Sequence, residues 1–385
     1  MNLNTKYHIL VVLLIFLVTS LACSISSSGT PSTPGSDQIP LSMNSTIEAS
    51  NFPTNQVSTM ATPPFNSLIP YRDIVITSEN ANRIVELGYI NYRPPAMWLP
   101  NKNILVTSQS GSSVDFLEIE PVPFKLHRSI NVSPWGLSFS NDGEFFTSIS
   151  SDEKDLGIYS VLNGSLVNQI MGSDFYRTAF SPNNDFLATA SDTTIKLWNL
   201  PDLTLIRTFE GHTSFVDSLA FSPDGELLVS GGRNDKVRLW RVKDGTQLSW
   251  GGVSDYQPYI WTNTITFSPD GAYIAAGGLE DVPGMKGGIR VWRISDRTEI
   301  YSLEFDRWVS GVAFSPNSEI LAVNASSLYL LRASDGVVIT SLQPTPLDDS
   351  MQGNCCTSLA FSPDGHLLAS SSAMMNYVYI WGLPK

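Results

Sequence analysis

Four histidines, three cysteines and 36 Asp and Glu residues are the side chains of this 385-residue chain suited to acid–base, nucleophilic or metal chemistry. The histidines (His8, His127, His212 and His366) are scattered, and with three cysteines they assemble no set at metal-ligand spacing. Neither a metal nor another cofactor is expected. Acids gather at Asp174, at Glu280 with Asp281, and at Asp348 with Asp349, but no nucleophile motif accompanies them. The chain is therefore expected not to be an enzyme. With 23 Lys and Arg and a net charge of −13, it also lacks the cations that supply most nucleic-acid affinity. The chemistry that does recur is recognition chemistry. Tyr92 and Arg93, Trp135, Tyr176 and Arg177, Phe215, Tyr259 and Trp261, and Arg307 and Trp308 stand just ahead of successive strand-like segments, and Phe175 precedes one pair. Trp, Tyr and Arg dominate interface energies, so these positions suit a partner-binding ring. Packing of the loops that carry them is the other use that fits.

The segments behind these residues are copies of one unit. The clearest copy has a first strand at 218–222, a Ser222-Pro223-Asp224-Gly225 turn and a second strand at 226–230. A third strand with Val237, Leu239 and Trp240 follows, and Asp244-Gly245 turns the chain into a fourth. Pro presets φ at the first turn position, Asp bonds back to the backbone, and Gly takes the left-handed slot. Equivalent anchors fall at Trp98, Phe139, Phe180, Phe221, Phe267, Phe314 and Phe361, separated by 41, 41, 41, 46, 47 and 47 residues. A period of this length with four short strands per unit predicts propeller blades, each too small to bury its faces without a neighbour.

These residues resemble WD-repeat propellers over about 83–385. The third-strand Trp stands at Trp198, Trp240, Trp292 and Trp381 and gives way to Leu117, Tyr159 and Leu331 elsewhere. No copy keeps the family's Trp-Asp pair, and one copy has its Gly-His, at Gly211-His212. The resemblance implies a structural hydrogen-bond set of His212, Ser230, Asp235 (or Asn234) and Trp240, with His212 structural rather than catalytic. The expected fold is all-β, a seven-bladed WD-repeat-like propeller. The last copy reaches only four residues beyond Trp381, so the segment 83–90, which reads as an orphan strand, is expected to close the ring as the outer strand of blade seven.

Ahead of the repeats, positions 9–18 form an apolar run of ten residues, too short to span a bilayer and suited to a secretory signal. Leu21-Ala22-Cys23 resembles a bacterial lipoprotein signal, with Ser20 where that family prefers an aliphatic residue. The resemblance implies lipidation of Cys23; simple secretion is the alternative. Expected domains are a signal peptide over 1–22, a Ser/Thr/Pro-rich disordered tether over 23–70, reaching about 40 Å r.m.s., and the propeller over 71–385. The protein is thus expected to be exported, lipid-anchored at the cell surface or on the periplasmic side of the membrane, and monomeric.

Insertions point to a working side. Third-strand position to next anchor spans 27 and 30 residues before blades five and seven, against 21–23 elsewhere, and blade five carries an insertion at 278–288. In a WD-repeat propeller both loop kinds open on one face, the face of the aromatic and Arg residues. Cys355-Cys356 sits there too; these two thiols can close a vicinal disulfide or stay as buried thiols. The function implied is an extracytoplasmic scaffold for a protein or peptide partner. A carbohydrate or cell-wall binder is the alternative, since an aromatic face also suits sugars.

Overall fold

The computed structural model describes residues 74–118, 125–172, 175–200, 202–233, 236–249, 259–280, 286–325, 327–343, 356–372 and 376–384. They form seven antiparallel sheets, each a meander read from the inner strand outward. Blade one holds Arg93–Trp98, Ile104–Ser108, Val114–Glu118 and Lys125–Ile130. Blade two holds Phe145–Ile149, Asp155–Ser160 and Leu166–Met171. Blade three runs Arg177–Phe180, Phe186–Ser191, Thr194–Asn199 and Leu205–Phe209. Blade four runs Val216–Phe221, Leu227–Gly232, Arg238–Arg241 and Gln247–Leu248. Blade five runs Tyr259–Phe267, Tyr273–Glu280, Gly287–Arg293 and Thr298–Phe305. Blade six runs Gly311–Phe314, Ile320–Asn324, Leu328–Arg332 and Val338–Leu342. Blade seven takes Cys356–Phe361, Leu367–Ser372 and Tyr377–Gly382, and its fourth strand is Val85–Ile90 from the other end of the domain.

The repeated turn explains why Ser, Asp and Gly recur. The Ser222 hydroxyl donates to Asp224 Oδ1 and accepts the Leu227 N–H at 2.9 Å, while Gly225 sits at φ +74°. A side chain thus replaces a backbone partner at the tightest point of the hairpin. Ser140, Ser181, Ser268, Ser315 and Ser362 repeat both bonds in their own blades.

Apolar packing closes the ring. Seven buried clusters stand among the described residues, and each draws on two neighbouring blades. Blades three and four, for example, share Leu197, Phe209, Leu228 and Trp240. The pair that joins the first and last blades puts Leu87 and Ile90 with Ala96, Trp98, Leu367 and Ile380. Seven blades joined at seven interfaces leave no unclosed gap. The closing strand starts at Val85 rather than at position 83, because Ala81–Arg83 form a 3-10 turn. Tyr89 pairs with Tyr379 in its register, and the Ile76 N–H bonds Gly365 O at 3.0 Å beneath it.

Blade two departs from the pattern. Its inner segment forms no regular strand and keeps a single bridge, Phe139 to Phe146. The Thr147 hydroxyl enters the ladder instead: it lies 2.7 Å from Gly136 O and accepts the Ser138 N–H at 3.0 Å. Pro134 also removes a donor just ahead of it.

Candidate partner-binding face

In each meander, the link entering the inner strand and the turn between strands two and three lie at the same end of the sheet. Around the ring these ends make one face, here called the upper face. Inner strands are bulged at that end: registers shift between Val216 and Ser218 in blade four, and between Tyr259 and Trp261 in blade five. A bulge re-aims the side chains beside it. Two glycines let the bulged segments lie close over strand two. A Cβ on Gly232 would meet Phe215 O at 2.0 Å, and one on Gly278 would meet Trp261 O at 1.9 Å. Any larger residue would lift the aromatic-bearing segment off the blade.

These devices align side chains from four blades into one ladder. Tyr176 meets Phe215 edge-on, with centroids 5.4 Å apart at 88°. The Arg233 guanidinium lies 5.4 Å from the Phe215 ring and 4.8 Å from the Trp261 ring. Trp261 then stacks on Trp308 at 4.9 Å and 29°. Arg233 is fixed from below by Asp217, whose Oδ2 accepts its Nε–H at 2.8 Å. Asp217 is nearly buried and the Arg233 side chain is 40% exposed. A charge-assisted bond to a buried carboxylate holds the cation's orientation while one side faces water. A backbone bridge from Arg233 to Trp261 ties blades four and five at the same point.

The ladder unites Tyr176, Phe215, Trp261 and Trp308. Arg177 is next to it, acted on by Asp217 and Arg233. Arg307 is half-buried beside Trp308. Tyr92 and Arg93 stand apart on blade one, where burial, and then Asp115, raise the Tyr92 phenol pKa. Trp135 is not part of the ladder and is 68% exposed on blade two. Phe175 is buried packing, 1% exposed. The Tyr259 side chain, Cys355, the Cys356 side chain and Cys23 lie outside the described residues; the Cys356 backbone pairs with Ser372. Neither Arg233 nor Asp217 was expected at the site. The signal for Arg233 is its place directly after Gly231-Gly232, a pair whose lack of side chains allows close approach.

The implied hydrogen-bond set forms around Ser230. The Trp240 indole donates to Ser230 Oγ at 2.8 Å, and His212 Nε2 lies 2.6 Å from the same oxygen. All three residues are buried, which fits a structural role for His212. Asp235 and Asn234 lie outside the described residues. The same indole-to-hydroxyl bond recurs as Trp198 to Thr189 and Trp381 to Ser370, both at 2.9 Å.

The family model described as "WD domain, G-beta repeat" matches residues 164–199, 203–241 and 347–381, ranges that take in strands of blades two, three, four and seven. The chain carries WD40 repeats. A second model, "Eukaryotic translation initiation factor eIF2A", matches 227–352 of the WD-repeat propeller. Among curated proteins, the chain is similar to the small ribosomal subunit protein RACK1 of Drosophila melanogaster. The two are 38% identical over 72 residues, 18% of this chain and 23% of that protein. It is 32% identical to the cross-pathway control WD-repeat protein 2 of Flammulina velutipes, over 49% of this chain and 45% of that one. Protein groucho of Drosophila melanogaster is 38% identical over 19% of this chain and 10% of its own length. The chain spans less than half the length of each of these relatives. WD40 propellers typically serve as protein-interaction scaffolds.

Proposed function

We propose that this WD-repeat propeller is an extracytoplasmic, lipid-anchored scaffold that binds a protein or peptide partner on its upper face. The observation that carries the binding face is the continuous Tyr176–Phe215–Arg233–Trp261–Trp308 ladder across four blades. Such a strip of π faces around one oriented cation supplies the residue types that anchor protein interfaces, held rigidly enough to limit the entropy lost on binding. The lower turns, by contrast, are occupied with their own Ser–Asp hydrogen bonds, as at Ser222–Asp224. Anchoring through Cys23 rests on the Leu21-Ala22-Cys23 resemblance. The three acyl chains it implies exceed the two signals that stable membrane attachment needs. The scaffold acts as a monomer and needs no cofactor.

Two measurements test the two halves of this reading. Cys23→Ser should move the protein from the membrane to the soluble fraction; retention would place the anchor elsewhere. Phe215→Ala should weaken partner capture with the fold intact, while Asp224→Ala on the lower face should not. The opposite ranking would put the working surface on the other side.

A further inference from the structure

The outer strand of every blade has a far edge that can pair with another chain, and such edges are normally guarded. In blades one, three, five and seven the outer strands carry charged side chains: Lys125 and Arg128, Arg207, Glu299 and Glu304, and Glu86. Blade four's outer strand is two residues long. Blade six's Val338–Leu342 has no charge, but the Ala81–Arg83 turn lies against it. Blade two differs. Leu166–Met171 is the edge of its sheet, and positions 161–172 carry no charged side chain. Leu166, Val167 and Met171 are exposed on it, Met171 by 66%. A register shift bends the strand at its Leu166 end, as in blades one, three, five and six, and leaves 168–171 regular.

The backbone of this edge faces outward at two residues. Met171 lies opposite Asp155, and the Gly172 N–H bonds Lys154 O at 3.0 Å. In an antiparallel ladder this turns the amides of Asn168 and Ile170 into the blade and those of Gln169 and Met171 away from it. The Gln169 N–H is held by the Asn168 side chain, whose Oδ1 accepts it at 2.9 Å. A side-chain oxygen thus occupies the place that the carbonyl of a neighbouring strand would take. Charge is confined to the Met171 end. The turn that meets it carries Asp152, Glu153 and Asp155 against Lys154.

We propose that the outer edge of blade two takes up an extended segment of a partner protein as an added antiparallel strand. The segment is uncharged and apolar at alternate positions, with a Lys or Arg at its N-terminal end. Strand addition supplies main-chain hydrogen bonds from Gln169 and Met171, and the exposed Met171 and Val167 side chains select apolar residues across the pair. An antiparallel segment enters beside Met171, so its first residues meet the acidic turn and a cation there is favoured. A second copy of this chain is a poorer occupant, because it brings another net charge of −13 to the contact. This surface lies apart from the upper-face ladder and does not depend on that reading.

The test is selection of a displayed library of random dodecapeptides on the full chain, followed by affinity measurements with a selected peptide. Selected sequences should show a Lys or Arg followed by apolar residues at every second position. Gln169→Pro removes an outward N–H that the blade's own ladder does not use, so the melting temperature should hold while binding weakens about tenfold, the scale of one or two hydrogen bonds. Met171→Lys places a charge on the edge and should weaken binding at least as much; it carries the test if the Pro variant loses its fold. N-methylation along the peptide should abolish binding at alternate residues only, and bound peptide should slow hydrogen exchange of the Gln169 and Met171 amides. Failure to select any peptide would overturn the proposal. So would selected peptides that ignore both substitutions or tolerate N-methylation throughout. Peptides lost on Phe215→Ala alone would overturn this inference and leave the upper-face reading standing. Self-association of the chain without peptide, abolished by Met171→Lys, would make a second copy the occupant and also overturn it.

Discussion

Trp261 lies between a cation and a second indole, so its removal has a calculable cost. Truncation to Ala loses a stacked aromatic pair with Trp308, about 0.5–1.5 kcal/mol beyond area, and a cation–π contact with Arg233, about 0.5–1 kcal/mol. The ring is half-buried. Roughly 100 Å² of lost apolar burial adds about 2.5 kcal/mol. The total is about 3.5–5 kcal/mol for Trp261→Ala, and about 3–4 kcal/mol for Trp308→Ala, which loses a single ring partner among the described contacts. Because the two rings share one contact, the double variant should fall short of the sum by about 0.5–1.5 kcal/mol. A urea-unfolding cycle of wild type, two single variants and the double variant measures this. Additivity within about 0.3 kcal/mol would mean that the rings do not stack in solution, and the ladder would be broken at that rung.

Other consequences are more local. Ser230→Ala removes the oxygen that both Trp240 and His212 use, and should cost about 2–4 kcal/mol in urea unfolding, against about 1–2 kcal/mol for Ser370→Ala, where the hydroxyl accepts the Trp381 indole N–H; equal losses would dissolve the blade-four set. Leu87→Ala should cost about 2–5 kcal/mol, as for a core leucine, because the closing strand is part of the packed ring; a loss under about 1 kcal/mol would mean that Val85–Ile90 is dispensable. In the outer turns, Asp244 is held down to about 2 by the Thr246 backbone N–H first, then by the Thr246 side chain and Arg241. Asp202 and Asp296 are lowered chiefly by the Asn199 and Thr298 side chains. Their folded pKa values lie below the unfolded value of about 3.9, so their stabilisation is complete above about pH 4 and is lost as pH falls toward about 2. Melting temperatures of the triple Asn variant should decline less steeply across that window than those of wild type; identical slopes would contradict the assignment.

The blades were legible because their turns are encoded locally. Ser222, Asp224 and Gly225 satisfy one another within a few residues, so the same short string marks each hairpin. Ring closure was legible for the same reason: a repeat short of one strand must find it elsewhere, and Val85–Ile90 supplies it. Contacts between blades were not. Arg233 meets Trp261 across 28 positions of chain, through a bulge and a glycine pair that leave no periodic trace in the sequence. For the same reason Tyr92, Arg93 and Trp135 share the sequence position of the ladder residues without joining it. Blade two's missing inner strand goes with the Thr147 hydroxyl entering the ladder and with Pro134 ahead of it, which the Phe139 anchor gave no reason to expect.

The binding face is tested most directly by photocrosslinking. A benzophenone amino acid is placed at Phe215 on the upper ladder or, in a second variant, at Asp224 on a lower turn, and covalent adducts formed by the full chain in its native cells are compared. Adducts to a discrete protein partner from position 215, and none from position 224, are the predicted result. Adducts from position 224 alone would contradict the upper face as the working surface.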